Sequence, residues 1–293
     1  MRYKLYKIKI LIVRVLIMLF FTIFIWLLLF ISNALFEKSV VNNEIEQFKE
    51  RGIFEITTNI QGQNVDIYKV KPKYDYEDGK TFVFDSSFTS KYYIGSTLDI
   101  ILTTRNPLRM YPTALVRDTA DIISKLAFSG HATMNIADDG SEIIECVGND
   151  EDKNGVRIAE QIWVYTEVRY GNDAQIILGL RIKNIDELTK KNICNNVKKL
   201  EGKQYNYLLP FYSKNKYYCT DLISRVLKEE NIRINYDGFY TTGNDIIISN
   251  QTYLIFLCER IEDGYFKIYY LSEEWVWIQL WLYQQQWAKA QYL

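Results

Sequence analysis

The chain has 293 residues, 48% hydrophobic and 24% charged, with 15% aromatics but only 14 Gly and 4 Pro. That much apolar surface offsets the cost of ordering a chain and excludes disorder; the low Gly and Pro exclude collagen-like and low-complexity sequences, and charge spread over most of the length excludes a polytopic membrane protein. The formal net charge of −1 is a cancellation: residues 1–36 hold Arg2, Lys4, Lys7, Lys9 and Arg14 and no acid, and taking those five from 35 leaves 30 basic against 36 acidic residues, a net −6.

From Val15 to Phe36 the sequence runs VLIMLFFTIFIWLLLFISNALF, 22 residues without a charge. As a helix it is roughly 33 Å long, enough to cross a ~30 Å hydrocarbon core. A buried core helix seldom stays apolar on every face over that length. A cleaved signal peptide is the nearer rival, because Ser32-Asn33-Ala34 offers small residues. Signal-peptide apolar regions span only ~7–15 residues, however, and the run reads as an uncleaved signal anchor. The basic segment 1–14 then stays in the cytoplasm, and the body is expected in the periplasm or elsewhere outside the cytoplasm. No Cys follows the run closely enough for lipoprotein processing.

Residues 37–51 read as a polar helical stalk, and 37–90 as a membrane-proximal extension with short strands at Phe54–Thr58, Val65–Val70 and Thr81–Phe84. Residues 91–262 read as the main domain. Its first strand is the apolar stretch Leu98–Thr103, and a helix over 112–127 sets Leu115, Ile122, Ile123 and Leu126 at helical spacing, with Pro112 suited to its first turn. A hairpin joins 131–137 to 141–147 through Asp138-Asp139-Gly140, a strong turn signal between alternating strands. Further strands are expected at Gln161–Glu167 and Gln175–Ile182, helices over 185–200 and from Cys219, and a strand at Phe266–Leu271. Residues 263–293 form an extension that is aromatic-rich from Trp275 to Trp287. Helices segregated from an antiparallel sheet make the fold class α+β.

The acidic body has no basic stripe of the kind that neutralises phosphates, so no nucleic-acid partner is expected; Lys190-Lys191 and Lys198-Lys199 read as a solvated helix face. The four cysteines, Cys146, Cys194, Cys219 and Cys258, form no CxxC pair and no disulfide framework, and neither a metal nor a cofactor is expected. Cys146, Cys194 and Cys258 read as buried free thiols, the commonest fate of a scattered cysteine.

His131 is the single histidine and opens a strand. The hairpin returns Glu145 to within one or two positions of direct register with it, where a carboxylate can hold one ring nitrogen and fix the tautomer. Cys219 stands in the first turn of a helix, where exposed amides and the helix dipole favour thiolate and a nearby imidazolium favours it further. Cys146, next to Glu145, points to the opposite face of the sheet. A thiol beside an imidazole is the arrangement of a cysteine nucleophile.

Four blocks in order then carry a family resemblance. They are Leu98-Asp99-Ile100-Ile101-Leu102; Gly130-His131-Ala132-Thr133-Met134-Asn135-Ile136; Ile143-Ile144-Glu145-Cys146; and Gly202-Lys203-Gln204-Tyr205 followed by Tyr217-Tyr218-Cys219-Thr220-Asp221-Leu222-Ile223. Together the chain resembles the circularly permuted, NlpC-like papain-fold hydrolases of the YiiX-like group, to which the lecithin retinol acyltransferase-like proteins are related. The resemblance covers roughly residues 93–260. Leu98 departs from the family's Gly, and Thr220-Asp221 from its Ser-Glu. It implies a permuted papain-like fold, Cys219 as nucleophile, His131 as general base and then acid, and Glu145 as the group that orients His131. It also implies that the Cys219 backbone N–H supplies part of an oxyanion hole, that Tyr205 adds a phenolic donor to it or lines the substrate-binding cleft, and that Tyr217 and Tyr218 shape the wall beside the nucleophile. Three functions follow. The first is an anchored cysteine hydrolase, an amidase or peptidase on cell-wall peptide; the second is an acyltransferase, thioesterase or deacylase on acyl lipids; the third is a non-catalytic envelope-binding module. The Trp residues of the tail suit a membrane interface or a core equally.

Overall fold

A computed structural model of the chain describes residues 2–60, 62–79, 93–106, 112–148, 154–161, 176–207, 213–235, 240–262 and 264–272. The strand expected at Thr81–Phe84, most of that at Gln161–Glu167 and the Trp-rich stretch 275–287 lie outside the described residues.

The chain begins with one uninterrupted helix, α1 (Arg2–Glu50). Its apolar part is exposed throughout the most hydrophobic window and is long enough to cross a membrane. Beyond that part it behaves differently: Val41, Ile45 and Phe48, at spacings of four and three, are buried in the core of the body. Residues 37–50 are therefore helical as expected, but they dock on the body and do not form a free stalk. The helix ends at the turn before β1 (Gly52–Ile60), which pairs antiparallel with β2 (Gln63–Val70).

Three further strands and one helix follow: β3 (Ile100–Thr103), α2 (Ala114–Leu126), β4 (His131–Asn135) and β5 (Glu142–Val147). Thr113 is the N-cap of α2, so Pro112 sits one residue outside it and not in the first turn. In the β4–β5 turn Gly140 takes φ 70°, the left-handed conformation that glycine adopts without strain, and Asp139 Oδ1 accepts the Ser141 amide at 3.0 Å. After β6 (Gly155–Glu160) and β7 (Ile176–Ile182), α3 (Glu187–Lys198) starts on an Asp186 side chain that accepts the Thr189 amide. A short parallel pair, β8 (Gln204–Tyr205) and β9 (Lys216–Tyr217), leads into α4 (Cys219–Glu229). A capping box of Thr242 and Asp245 opens α5 (Gly243–Ile248), and β10 (Thr252–Glu262) and β11 (Tyr265–Leu271) follow.

Nine of these strands form one sheet in the order β1-β2-β11-β10-β7-β3-β4-β5-β6, antiparallel at every contact except β2–β11. The fold is α+β with a large, mostly antiparallel sheet. Because β1 and β2 join this sheet through β11, and β10 and β11 pair across residue 262, the divisions drawn from sequence at 90/91 and 262/263 fall inside one folded body. Helix α4 lies against β4 and β5, α3 against α4, and α1 against α5 and α2. Leu222, Ile223, Val226 and Leu227 of α4 share the core with Ala132, Met134, Ile144 and Cys146, which fixes the helix start relative to the β4–β5 hairpin.

Candidate active site

The site is built on a diagonal across three strands. In the β4–β5 register Thr133 opposes Glu145, so His131 lies two residues from direct opposition, on the same face by strand alternation. In the β5–β6 register Arg157 opposes Glu145. Side chains complete the row: His131 Nε2 lies 2.8 Å from Glu145 Oε2, and Arg157 Nε donates to Glu145 Oε1 at 2.8 Å. Both carboxylate oxygens are thus occupied by cationic or potentially cationic donors, and the Glu145 side chain is only 7% exposed.

The backbone at His131 is held by its neighbour. A Cβ at Gly130 would collide with the carbonyl oxygens of Thr103 and Arg105, so the chain enters β4 pressed on the end of β3, where Thr103 pairs with His131. Glycine is needed here for close approach, not for an unusual φ.

Cys219 is the first residue of α4, and the N-cap, Tyr218, provides no side-chain cap. Several bonds hold that helix start in place. Thr220 Oγ1 donates to the Thr241 carbonyl at 2.6 Å, and the Tyr218 hydroxyl accepts the Thr241 amide at 3.1 Å. Arg225 donates to the carbonyls of Ser213 and Lys216, pairs with Asp221, and lies 4.0 Å from the Tyr217 ring centroid. Cys146 Sγ donates to the Tyr217 carbonyl at 3.0 Å, on the strand face opposite to Glu145. With α4 so placed, the Cys219 side chain hydrogen-bonds the His131 ring.

The electrostatics follow from this sandwich. Burial opposes the imidazolium, but hydrogen bonds and charge from Cys219 and Glu145 outweigh it and raise His131 to about 9. Burial alone would raise Glu145; the bonds and charges of His131 and Arg157 reverse that and hold its carboxyl below the usual range. Burial pushes the Cys146 thiol well up, which suits an inert core cysteine, and Cys194 is raised for the same reason. No cysteine is in a disulfide.

Tyr205 packs its ring over Gly148, where an added Cβ would stand 2.9 Å from Cε1. Its hydroxyl is driven up by burial and then by the charge of Cys219, so it stays protonated within electrostatic reach of the thiol. The preceding residues are laced to β6: Val156 N–H donates to the Lys203 carbonyl and Gly202 N–H to the Val156 carbonyl, both at 2.8 Å. Tyr218 stacks on Tyr240 with ring centroids 4.7 Å apart. All five residues expected from sequence (His131, Glu145, Cys219, Tyr205 and Tyr218) are therefore brought to one place.

Two members of the cluster escape a sequence reading. Arg157 belongs to β6, a strand that no local pattern marks, and its relation to Glu145 exists only through cross-strand register. Tyr240 reaches the Cys219 neighbourhood from the loop before α5, and nothing in its local sequence marks it. Among the described residues, no group of three His, Cys, Asp or Glu side chains is placed to hold a metal ion.

Chemically, the arrangement can move a proton from a thiol to an imidazole and hold the resulting cation against a fixed carboxylate. Comparison with known proteins finds no family model and no curated protein that matches the chain.

Proposed function

We propose that this protein is a membrane-anchored cysteine hydrolase that acts outside the cytoplasm on an amide bond, such as one in a cell-wall peptide, through Cys219, His131 and Glu145. The observation that carries this reading is the His131 ring held between the Cys219 side chain and the Glu145 carboxylate. Cys219 passes its proton to the His131 ring and attacks the carbonyl carbon. His131 then gives that proton to the departing amine, leaving a thioester on Cys219. Water, deprotonated by His131, attacks the thioester and releases the carboxylic acid and the thiol. Glu145 stabilises the imidazolium in both halves, and Arg157 keeps Glu145 ionised. The Cys219 amide and the Tyr205 hydroxyl are the candidate donors to the oxyanion.

The resemblance to permuted NlpC-like enzymes supports this reading through several particulars. The order along the chain is His strand, Glu strand, Cys helix. Leu98, standing where that family has Gly, takes φ 70°, a left-handed conformation that glycine adopts without strain. A lipid acyltransferase or thioesterase using the same three residues is the second reading. It is favoured by apolar surface exposed on α2, next to the anchor helix.

The test is labelling of the full-length protein by an activity-based thiol probe, comparing the wild type with Cys219→Ala and His131→Ala. Rapid labelling that both substitutions abolish is expected. Labelling that survives loss of Cys219, or a Cys219 no faster than an ordinary thiol, overturns the proposal. Peptidoglycan fragments set against phospholipid and acyl-thioester substrates then separate the two readings. New amines support the first, and free or transferred acyl groups support the second.

A further inference from the structure

Helix α2 is amphipathic in the inverse sense. Its single fully buried residue is the polar Ser124, whose hydroxyl donates to the Asp121 carbonyl at 2.9 Å and, at 3.3 Å, to the Thr104 carbonyl of the body. Its polar backbone is also met from inside: Asn106 Nδ2 donates to the Arg117 carbonyl and Asn244 Nδ2 to the Leu126 carbonyl. On the other side Leu115, Ile122 and Ile123 are 76%, 66% and 53% exposed. At 100° per residue these three, with Leu126, fall within about 100° of one another, opposite Ser124. A water-facing helix normally reverses that distribution.

The position of this stripe indicates what covers it. Helix α2 touches α1. Phe128, just beyond the end of α2, lies 5.7 Å from Lys38 Nζ, two residues past the apolar run of α1. Ala34, inside that run, and Glu37 are both buried. The body therefore meets α1 at the level where the membrane-spanning stretch ends, with no linker between, and α2 stands at that level.

We infer that the exposed apolar face of α2 inserts into the membrane interface beside α1, as a second contact with the same bilayer. An amphipathic helix that buries its apolar side among headgroups and upper acyl chains has this composition. The inference rests on α1 as a membrane span and not on the thiol chemistry. It has a consequence for that chemistry, since His131 follows Leu126 by only five positions. At most ~3.6 Å per residue, His131 lies within roughly 18 Å of the end of α2. Substrate would then meet Cys219 near headgroup level.

The test uses full-length protein carrying Cys219→Ala, in which the remaining cysteines are buried, reconstituted in vesicles of phosphatidylethanolamine and phosphatidylglycerol. Single cysteines at Leu115, Ile122, Phe24 and Glu187 are labelled with a nitroxide, and its collisions with oxygen and with a water-soluble nickel chelate are measured. Phe24 reports the span and Glu187, exposed at the start of α3, the aqueous reference. The expected result is an oxygen-to-nickel ratio several-fold higher at Leu115 and Ile122 than at Glu187, approaching that of Phe24. A ratio at both α2 positions equal to that at Glu187, with Phe24 in lipid, overturns the inference and leaves the anchor standing. Protection of both positions from oxygen and nickel alike also overturns it, because another part of the chain or a second copy then covers the stripe. An aqueous ratio at Phe24 removes the anchor itself and the inference with it.

Discussion

Replacing Glu145 with Gln keeps the shape of the side chain and removes its charge, which isolates the electrostatic part of the His131 sandwich. The rise of His131 from 6.5 to about 9 corresponds to roughly 3 kcal/mol in favour of the cation, at about 1.4 kcal/mol per tenfold change in equilibrium. Two partners outweigh burial to produce it, Cys219 and Glu145. Glu145→Gln removes the charge of one of them, so the His131 midpoint falls from about 9 toward its ordinary value. The chain contains a single histidine, so histidine-selective isotope labelling gives one imidazole to follow by NMR across a pH series. The sign of the stability effect is also fixed. A group whose folded-state pKa is raised stabilises the fold fully below its unfolded value, and that contribution disappears as pH climbs through the folded value. For His131 the window runs from about 6.5 to about 9, so the wild-type unfolding temperature falls across it and the Gln variant falls less. A wild-type midpoint at or below 6.5, or a midpoint unmoved by Glu145→Gln, refutes the reasoning.

Cys219→Ala removes the other partner, and the same NMR titration is expected to show a lower His131 midpoint than in the wild type. Arg157→Leu takes the Nε donor from a carboxylate that is almost wholly buried; a loss of about 1–3 kcal/mol in thermal denaturation is expected, together with reduced probe labelling at Cys219. Gly130→Ala sets a methyl group against the carbonyls of Thr103 and Arg105; it is expected to slow Cys219 labelling and to move the His131 ring resonances, while Gly62→Ala, with nothing near its Cβ, leaves both unchanged. Asp99→Ala takes from the largely buried Arg181 guanidinium the carboxylate to whose two oxygens it donates at 2.8 and 2.7 Å, leaving it the Ser96 hydroxyl and the Asp78 carbonyl. A destabilisation of about 3–5 kcal/mol is expected in denaturant unfolding, with the double replacement Asp99→Leu, Arg181→Met costing less than the single one.

The features legible in the sequence are those that local physics writes into a short window. The β4–β5 hairpin is readable because Asp139-Gly140 sits between strands of period two, and that alone brings Glu145 close to His131. The start of α4 at Cys219 is readable from the apolar spacing of Leu222, Ile223 and Val226, and α1 from a run of 22 uncharged residues. Other elements leave weaker traces. The strand β10 is buried along most of its length and does not alternate, and β6 is short and edge-placed, so local periodicity marks neither. The apolar spacing of α2 was plain, but a stripe of Leu and Ile reads the same whether it faces a core or a membrane.

What the sequence determined by itself is a basic, apolar N-terminal segment, an acidic α+β body, and His131, Glu145 and Cys219 in that order along the chain. The tertiary structure alone decided that residues 52–70 close onto β11, that Arg157 backs Glu145, that Tyr240 stands beside Tyr218, and that α2 turns its apolar side outward. The division has one physical reason. Helical and strand periodicities act over a few residues, whereas sheet register and helix facing are set by partners scores of positions away, whose pairing no local pattern encodes.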